Sequence, residues 1–403
     1  MSSSNPIDSS QQMESQPIPM DPEEVPEAKP VRKVPSYKLF AELNGHRKPI
    51  SVVRFSPNGQ LLASGSVDKY FRIWRTEGEI EEKAVVKAHV AGLNDIGWTY
   101  DSCFLATCSD DQTAKIFDVS THKRKLTLKG HKDYIISVAF NAYGNMVLTG
   151  SYDNTARLWD VRDGRCIREL QGHKEPLSAA SFNHDGTLIC TSSHDGFVNL
   201  WDTTSGKCAK TVLDMMRCKG FIFIGAQLRS GRVCLVLNVS GYLHSFPTVC
   251  GLRTSQNEPH FDLQASHDAH TGRSNHDDTA GISCGFSKFS PNGRYIMASK
   301  QDSNIYLIDI KKDKIVKRYT GHKNEQFCLF ADFSVTSGSY IVCGSEDGKI
   351  YIWDLQQGEI VQVVDNPSPL VIGSVNCHPS KNVIVSSAIG VEDQVVRIWH
   401  SEA

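Results

Sequence analysis

Serine or threonine, histidine and aspartate recur together along this chain. In an enzyme that trio can supply a nucleophile, its base and the group that orients the base. Gly-His or Ala-His pairs end at His46, His89, His131, His173 and His322. Aspartates follow at Asp68, Asp111, Asp153, Asp195, Asp302, Asp347 and Asp393. Six residues beyond each stands Trp74, Phe117, Trp159, Trp201, Ile308, Trp353 or Trp399. In the first four copies the histidine-to-aspartate spacing is constant at 22 residues. An active site is assembled once, whereas a trio repeated at a fixed interval is architecture. No catalysis is expected from these groups, and no nucleophile, metal set or phosphate loop is read outside the repeats.

The elements that position them are short strands. Between Gly130 and Asp160, apolar residues alternate in Tyr134–Phe140 and again in Met146–Gly150, as half-buried strands do. Ala142–Asn145 and Asp153–Thr155 read as tight turns. Repeats of about 40–45 residues with a Gly-His start and a Trp-Asp end are the signature of four-stranded β-propeller blades. One blade leaves apolar faces and open edges, so blades must stack around an axis. The expectation is an all-β, seven-bladed WD40 propeller over residues 36–403. Within a blade, histidine, a strand Ser/Thr, aspartate and tryptophan form a buried tetrad, such as His131, Thr149, Asp153 and Trp159.

Composition places limits on function. Among 403 residues, 43 are Lys or Arg and 45 Asp or Glu, which argues against nucleic-acid binding driven by bulk charge. The twelve cysteines show no CxxC pair and fit a reducing compartment, with no cofactor implied. No secretory signal and no apolar run of membrane-spanning length is read. Residues 1–35 hold seven prolines among Ser, Gln and Glu and read as a disordered tail. Tyr37–Leu43 alternates like a strand, and the last repeat ends at Trp399 without an outer strand. The expected closure gives Tyr37–Leu43 to the seventh blade and removes a free edge.

The repeat interval then breaks. Asp195 to Asp302 spans 107 residues, so an insertion is expected over 215–281, with an extra hairpin in Phe221–Phe246. His260, His267, His270 and His276 accompany Asp262, Asp268, Asp277 and Asp278 in it. His and carboxylate ligands suit zinc, but this spacing matches no familiar site, and the segment reads as a solvated loop.

GHKNEQFCLFADFSVTSG (Gly321–Gly338), SEDGKIYIWDLQQGEIVQ (Ser345–Gln362), the FSPNG steps at Phe55 and Phe289, and Cys377-His378-Pro379 carry a narrower likeness. Over Tyr37–Trp399, except the insertion, the chain resembles the WD-repeat scaffold subunit of histone H3 lysine-4 methyltransferase complexes of the COMPASS or MLL/SET1 type. The departures and the insertion lean toward a diverged paralogue.

The resemblance implies two binding surfaces. At the channel mouth a partner's arginine enters between two phenylalanine rings and bonds to backbone carbonyls, by cation–π attraction and forked donors. Ser51, Asp110, Ser178, Cys328 and Phe330 match that pocket. Asn94, Phe327, Tyr152 and His194 replace other residues there, Ile136 stands in for the second ring, and Pro49 and Gly285 are also changed. On the opposite side a cleft takes an acidic-and-apolar segment of another core subunit. Its positions are Asn292, Tyr295, Leu307, Val335 and Gln362, and the insertion enters the same fifth blade, where it could crowd this cleft. The implied function is a non-catalytic, monomeric scaffold in the nucleus, or in the cytoplasm. Its implied partners are a methyltransferase catalytic subunit, companion core subunits and the histone H3 tail, without nucleic acid or membrane. The competing reading is another propeller adaptor, such as a ubiquitin-ligase substrate receptor or a signalling scaffold.

Overall fold

The computed structural model describes residues 35–212, 222–228, 231–237, 282–334 and 340–402. The described secondary structure is entirely β, and seven four-stranded antiparallel sheets form the blades of a propeller. Blade one runs outward from the channel as Ile50–Phe55, Leu61–Ser66, Tyr70–Arg75 and Glu81–Lys87. Blade two takes Leu93–Trp98, Phe104–Ser109, Thr113–Asp118 and Arg124–Lys129. Blade three takes Ile135–Phe140, Met146–Ser151, Thr155–Asp160 and Cys166–Gln171. Blade four takes Leu177–Phe182, Leu188–Ser193, Val198–Asp202 and Cys208–Val212.

Blade five resumes after the insertion with Cys284–Phe289, Tyr295–Lys300, Asn304–Asp309 and Lys314–Tyr319. Blade six is Ala331–Ser334, Tyr340–Gly344, Lys349–Asp354 and Ile360–Asp365. The seventh joins Ile372–Cys377, Val383–Ala388 and Val396–Ser401 to Tyr37–Leu43 as its outer strand, with Leu43 opposite Val396. Both ends of the ring therefore share one sheet, as the alternation in Tyr37–Leu43 predicts. The expected tail lies outside the described residues apart from Pro35. So does the insertion, including its His/Asp-rich stretch, apart from Ile222–Leu228 and Gly231–Leu237. Those two strands pair with each other as a separate hairpin.

Blades adhere because their apolar clusters straddle neighbours. Ala106, Cys108 and Ile116 of blade two pack with Val138, Val147 and Trp159 of blade three. Such burial supplies most of the driving force, about 25 cal/mol for each Å² removed from water. Polar stitches fix the register around the channel. The Val53 and Phe55 N–H groups donate to Ser374 Oγ (3.1 Å) and Asn376 Oδ1 (2.8 Å), and Ala180 N–H donates to Ser137 Oγ (3.1 Å). Gly344 is fixed by close approach, since a Cβ there would collide with the Ile372 carbonyl.

Candidate functional site

The repeated aspartates have a local task that all seven blades share. Each accepts, on Oδ1, the N–H of the residue two positions on: Tyr70, Thr113, Thr155, Phe197, Asn304, Lys349 and Val395, at 3.0–3.3 Å. In six of the turns the residue between is left-handed: Lys69, Gln112, Asn154, Gly196, Ser303 and Gly348. The other oxygen, Oδ2, is where the blades differ.

In blades one, three and four it meets a histidine. His46, His131 and His173 hold Asp68, Asp153 and Asp195 through Nδ1 at 2.8–2.9 Å. Their Nε2 atoms bond Ser64, Thr149 and Thr191 at 2.7–2.8 Å. Trp74, Trp159 and Trp201 donate to the same hydroxyls. Blade two keeps His89, Asp111 and Thr107 but has Phe117 for the tryptophan. Burial alone would raise the Asp68 carboxyl, but the bond from His46 and the Arg47 and Tyr70 N–H groups bring it down to about 2. Every polar atom of such a unit is committed inside the blade, so the hydroxyl is an anchored acceptor.

The remaining blades substitute. Tyr306 donates to Asp302 Oδ2 at 2.6 Å, Tyr351 to Asp347 Oδ2 at 2.7 Å, and Arg397 to Asp393 Oδ2 at 2.7 Å. The tetrad expected in blade six from His322, Asp347 and Trp353 is not formed. Tyr351 takes the aspartate, Cys343 stands at the hydroxyl position, and Trp353 donates to the Thr320 carbonyl at 2.9 Å. His322 is buried, and neither ring nitrogen has a hydrogen-bond partner among the described residues. Desolvation lowers its pKa to about 4, against the opposing pull of Asp347, Asp302 and Glu346.

At the channel, Ser51 Oγ donates to the Gly65 and Leu93 carbonyls, and Ser178 Oγ to the Cys284 carbonyl. Asn94 Nδ2 donates to Asp110 Oδ1 (2.7 Å) and to the Ile135 carbonyl (2.9 Å). These groups tie each blade to itself or to the next. The rim above them is aromatic. Tyr152 lies 6.0 Å from the His194 ring and 6.2 Å from Tyr134, and Tyr134, Tyr152 and Phe327 are exposed. Burial raises the Tyr152 phenol, and Cys328, Asp110 and Asp133 raise it further. Glu346 Oε1 accepts the N–H groups of Glu325, Gln326 and Phe327 and fixes the loop that carries Phe327 and Cys328.

Ile136 and Phe330 belong to separate apolar clusters, the first with Leu148 and Phe182, the second with Phe286 and Leu329. Phe330 meets Phe286 edge-on at 5.2 Å, and the Arg54 guanidinium sits 4.7 Å from its ring centroid. Sequence reasoning missed Arg54 because 276 residues separate it from the ring it covers.

The second surface is more dispersed than its five positions suggest. Asn292 is an exposed turn residue whose Oδ1 accepts from Ser290 Oγ and Arg294 N, and it borders a shallow cavity with Asn183, His184 and Asp185. Tyr295 is half-buried under the Arg294 guanidinium. Leu307 is a core residue, 5% exposed. Val335 lies outside the described residues. The Gln362 amide pairs with the backbone of Tyr37, at 2.8 Å to its N–H and 3.0 Å to its carbonyl. Ile282, the first described residue after the insertion, lies elsewhere. A Cβ on Gly196, in the blade-four aspartate turn, would strike the Ile282 carbonyl, so Ile282 adjoins the channel-mouth face. The Asn292 turn, one strand further along, lies on the other face.

Five segments, residues 37–75, 80–118, 122–160, 164–202 and 313–354, match the family described as WD domain, G-beta repeat. The chain is similar to a subunit of chromatin assembly factor 1 from Gallus gallus, 30% identical over 29% of this chain and 25% of that protein. It is also similar to WD repeat-containing protein 1 of Xenopus tropicalis, 32% identical over 28% of this chain and 21% of that protein. A chromatin assembly factor 1 subunit FAS2 homolog of Oryza sativa subsp. japonica is 28% identical over 29% of this chain and 24% of its own length. The chain thus spans a quarter or less of the curated relatives it matches.

Proposed function

This chain is a WD40-repeat protein, and from that premise we propose that it is a non-catalytic, nuclear scaffold that assembles a histone H3 lysine-4 methyltransferase complex. The observation that carries the reading is the channel mouth. There Tyr134 and Phe327 are exposed, and Tyr152 lies between the Tyr134 and His194 rings. Exposed aromatic faces suit one cationic side chain of an extended peptide, and arginine's planar fork suits them better than lysine's point charge. The chromatin assembly factor relatives support a chromatin setting. The surface around Asn292 and Tyr295, on the face opposite the channel mouth, would seat a companion subunit, with Gln362 kept for blade closure.

Affinity purification of the full chain tests this. Recovery of methyltransferase core subunits supports the proposal. Recovery of cullin-type ligase subunits in their place would move the chain to the adaptor reading. Asp110→Ala and Tyr152→Ala should each weaken an arginine-bearing H3 or methyltransferase peptide about five- to thirty-fold by calorimetric titration, since lost charge-assisted or cation–π contacts are worth roughly 1–2 kcal/mol.

A further inference from the structure

Phe330 is the one ring of the resemblance's arginine pocket that this chain retains, and a cation already rests on it. The Arg54 guanidinium carbon lies 4.7 Å from the ring centroid, and its side chain is 16% exposed. Among the described residues its guanidinium has one hydrogen bond, Nη2 to Asp95 Oδ1 at a long 3.3 Å. Asp95 does not depend on Arg54 alone. It is buried, and it also accepts from Ile96 N at 2.9 Å, Val138 N at 3.2 Å and Ser137 Oγ at 3.4 Å. Phe330 is held from the side by Phe286, edge to face, and its backbone N–H donates to the Gly373 carbonyl at 3.0 Å. The ring is therefore fixed, while the arginine above it is held by one stretched bond and the ring's quadrupole.

We propose that Arg54 is a built-in occupant of Phe330, a cation the chain supplies to the place where a partner's arginine would sit, so that the partner must displace it. This rests on the channel reading proposed above and adds the residue that sets its affinity. A guest guanidinium on the same face would meet Arg54 at contact distance, where like charges repel strongly in a partly desolvated channel. Binding then requires Arg54 to leave the ring, and the apparent affinity falls by the fraction of molecules in which it has left. Arg54 thereby excludes weak cationic guests and admits a peptide whose remaining contacts offset the displacement.

The test has two arms. In solution NMR of the full chain, the Arg54 side-chain protons should be shifted upfield by the ring current, and Phe330→Leu should return them to ordinary values. Calorimetric titration of an arginine-bearing methyltransferase peptide then compares wild type with Arg54→Met combined with Asp95→Asn, which removes both charges and strands neither. The double variant should bind about three- to thirty-fold more tightly, while Asp95→Asn alone stays near wild type. If the double variant does not fold, Arg54→Gln with Asp95→Asn takes its place. Unshifted Arg54 protons would overturn the proposal without bearing on the channel reading. Shifted protons with wild-type binding and no gain in the double variant would overturn the competition and leave the channel reading standing. No binding by any form would overturn both.

Discussion

Blades three and six carry the same landmarks in sequence and solve the same burial problem differently. In blade three, His131 spans from Asp153 to Thr149, and Trp159 closes on the same hydroxyl. In blade six, Cys343 replaces the hydroxyl, Tyr351 captures the aspartate, and His322 is left buried with no hydrogen-bond partner among the described residues. Both sheets form, with the same strand order. The comparison separates what a blade requires from what strengthens it. The aspartate's bond to the turn N–H is present in both. The histidine is a second layer, and a tyrosine can stand in for its hold on the carboxylate.

Four substitutions or conditions would break or sharpen that contrast. The largest effect is expected from Thr149→Val, which strands the buried Trp159 N–H and one His131 nitrogen. At about 1–3 kcal/mol for each unpaired group, the loss should be roughly 2–5 kcal/mol by denaturant unfolding. A loss below about 1 kcal/mol would show that the tetrad contributes no more than its packing.

Next comes acid. His322 titrates at about 4 in the folded protein and near 6.5 when unfolded, so the unfolded chain binds its proton more readily. Its contribution is intact above pH about 6.5 and is lost as pH falls toward about 4, by roughly 3 kcal/mol in full. His322→Phe should flatten that stretch of the stability profile. An unchanged profile would assign the acid sensitivity to other groups.

A smaller gain, about 1 kcal/mol, is expected from Cys343→Thr, which offers His322 Nε2 the hydroxyl that His131 has. NMR titration should show the His322 pKa moving up toward its ordinary value. The smallest effect is His322→Phe at neutral pH, within about 0.5–1 kcal/mol by denaturant unfolding, because an unbonded imidazole gives way to an apolar ring. The same change at His131 should cost several times more, as two bonds are broken there.

Much of this architecture was legible in the chain alone. Seven blades, the break after blade four and the closing strand Tyr37–Leu43 all follow from spacing and alternation. Propeller repeats bury their strands mainly against themselves and their neighbours, so short-range pattern suffices to place them. Where histidine, Ser/Thr, aspartate and tryptophan were all present, as in blades one, three and four, the bonds follow the sequence. Blade six departs because it holds only three of the four tetrad members. The Cys343 and Tyr351 positions carried the missing signal.

The tertiary structure decided what spans the ring. Arg54 and Phe330 lie at the first and sixth blades, and only closure through the seventh brings guanidinium and ring together. Leu307 reads as an anchor in a set of positions, yet the packing of blade five against blade six buries it. Gln362 is committed to Tyr37, 325 residues away, by the same closure. Local hydrogen bonds and alternation are set by neighbours in sequence, and they fix the blade. Which side chains face one another across the channel depends on the number of blades and their rotation about the axis, which no single repeat encodes.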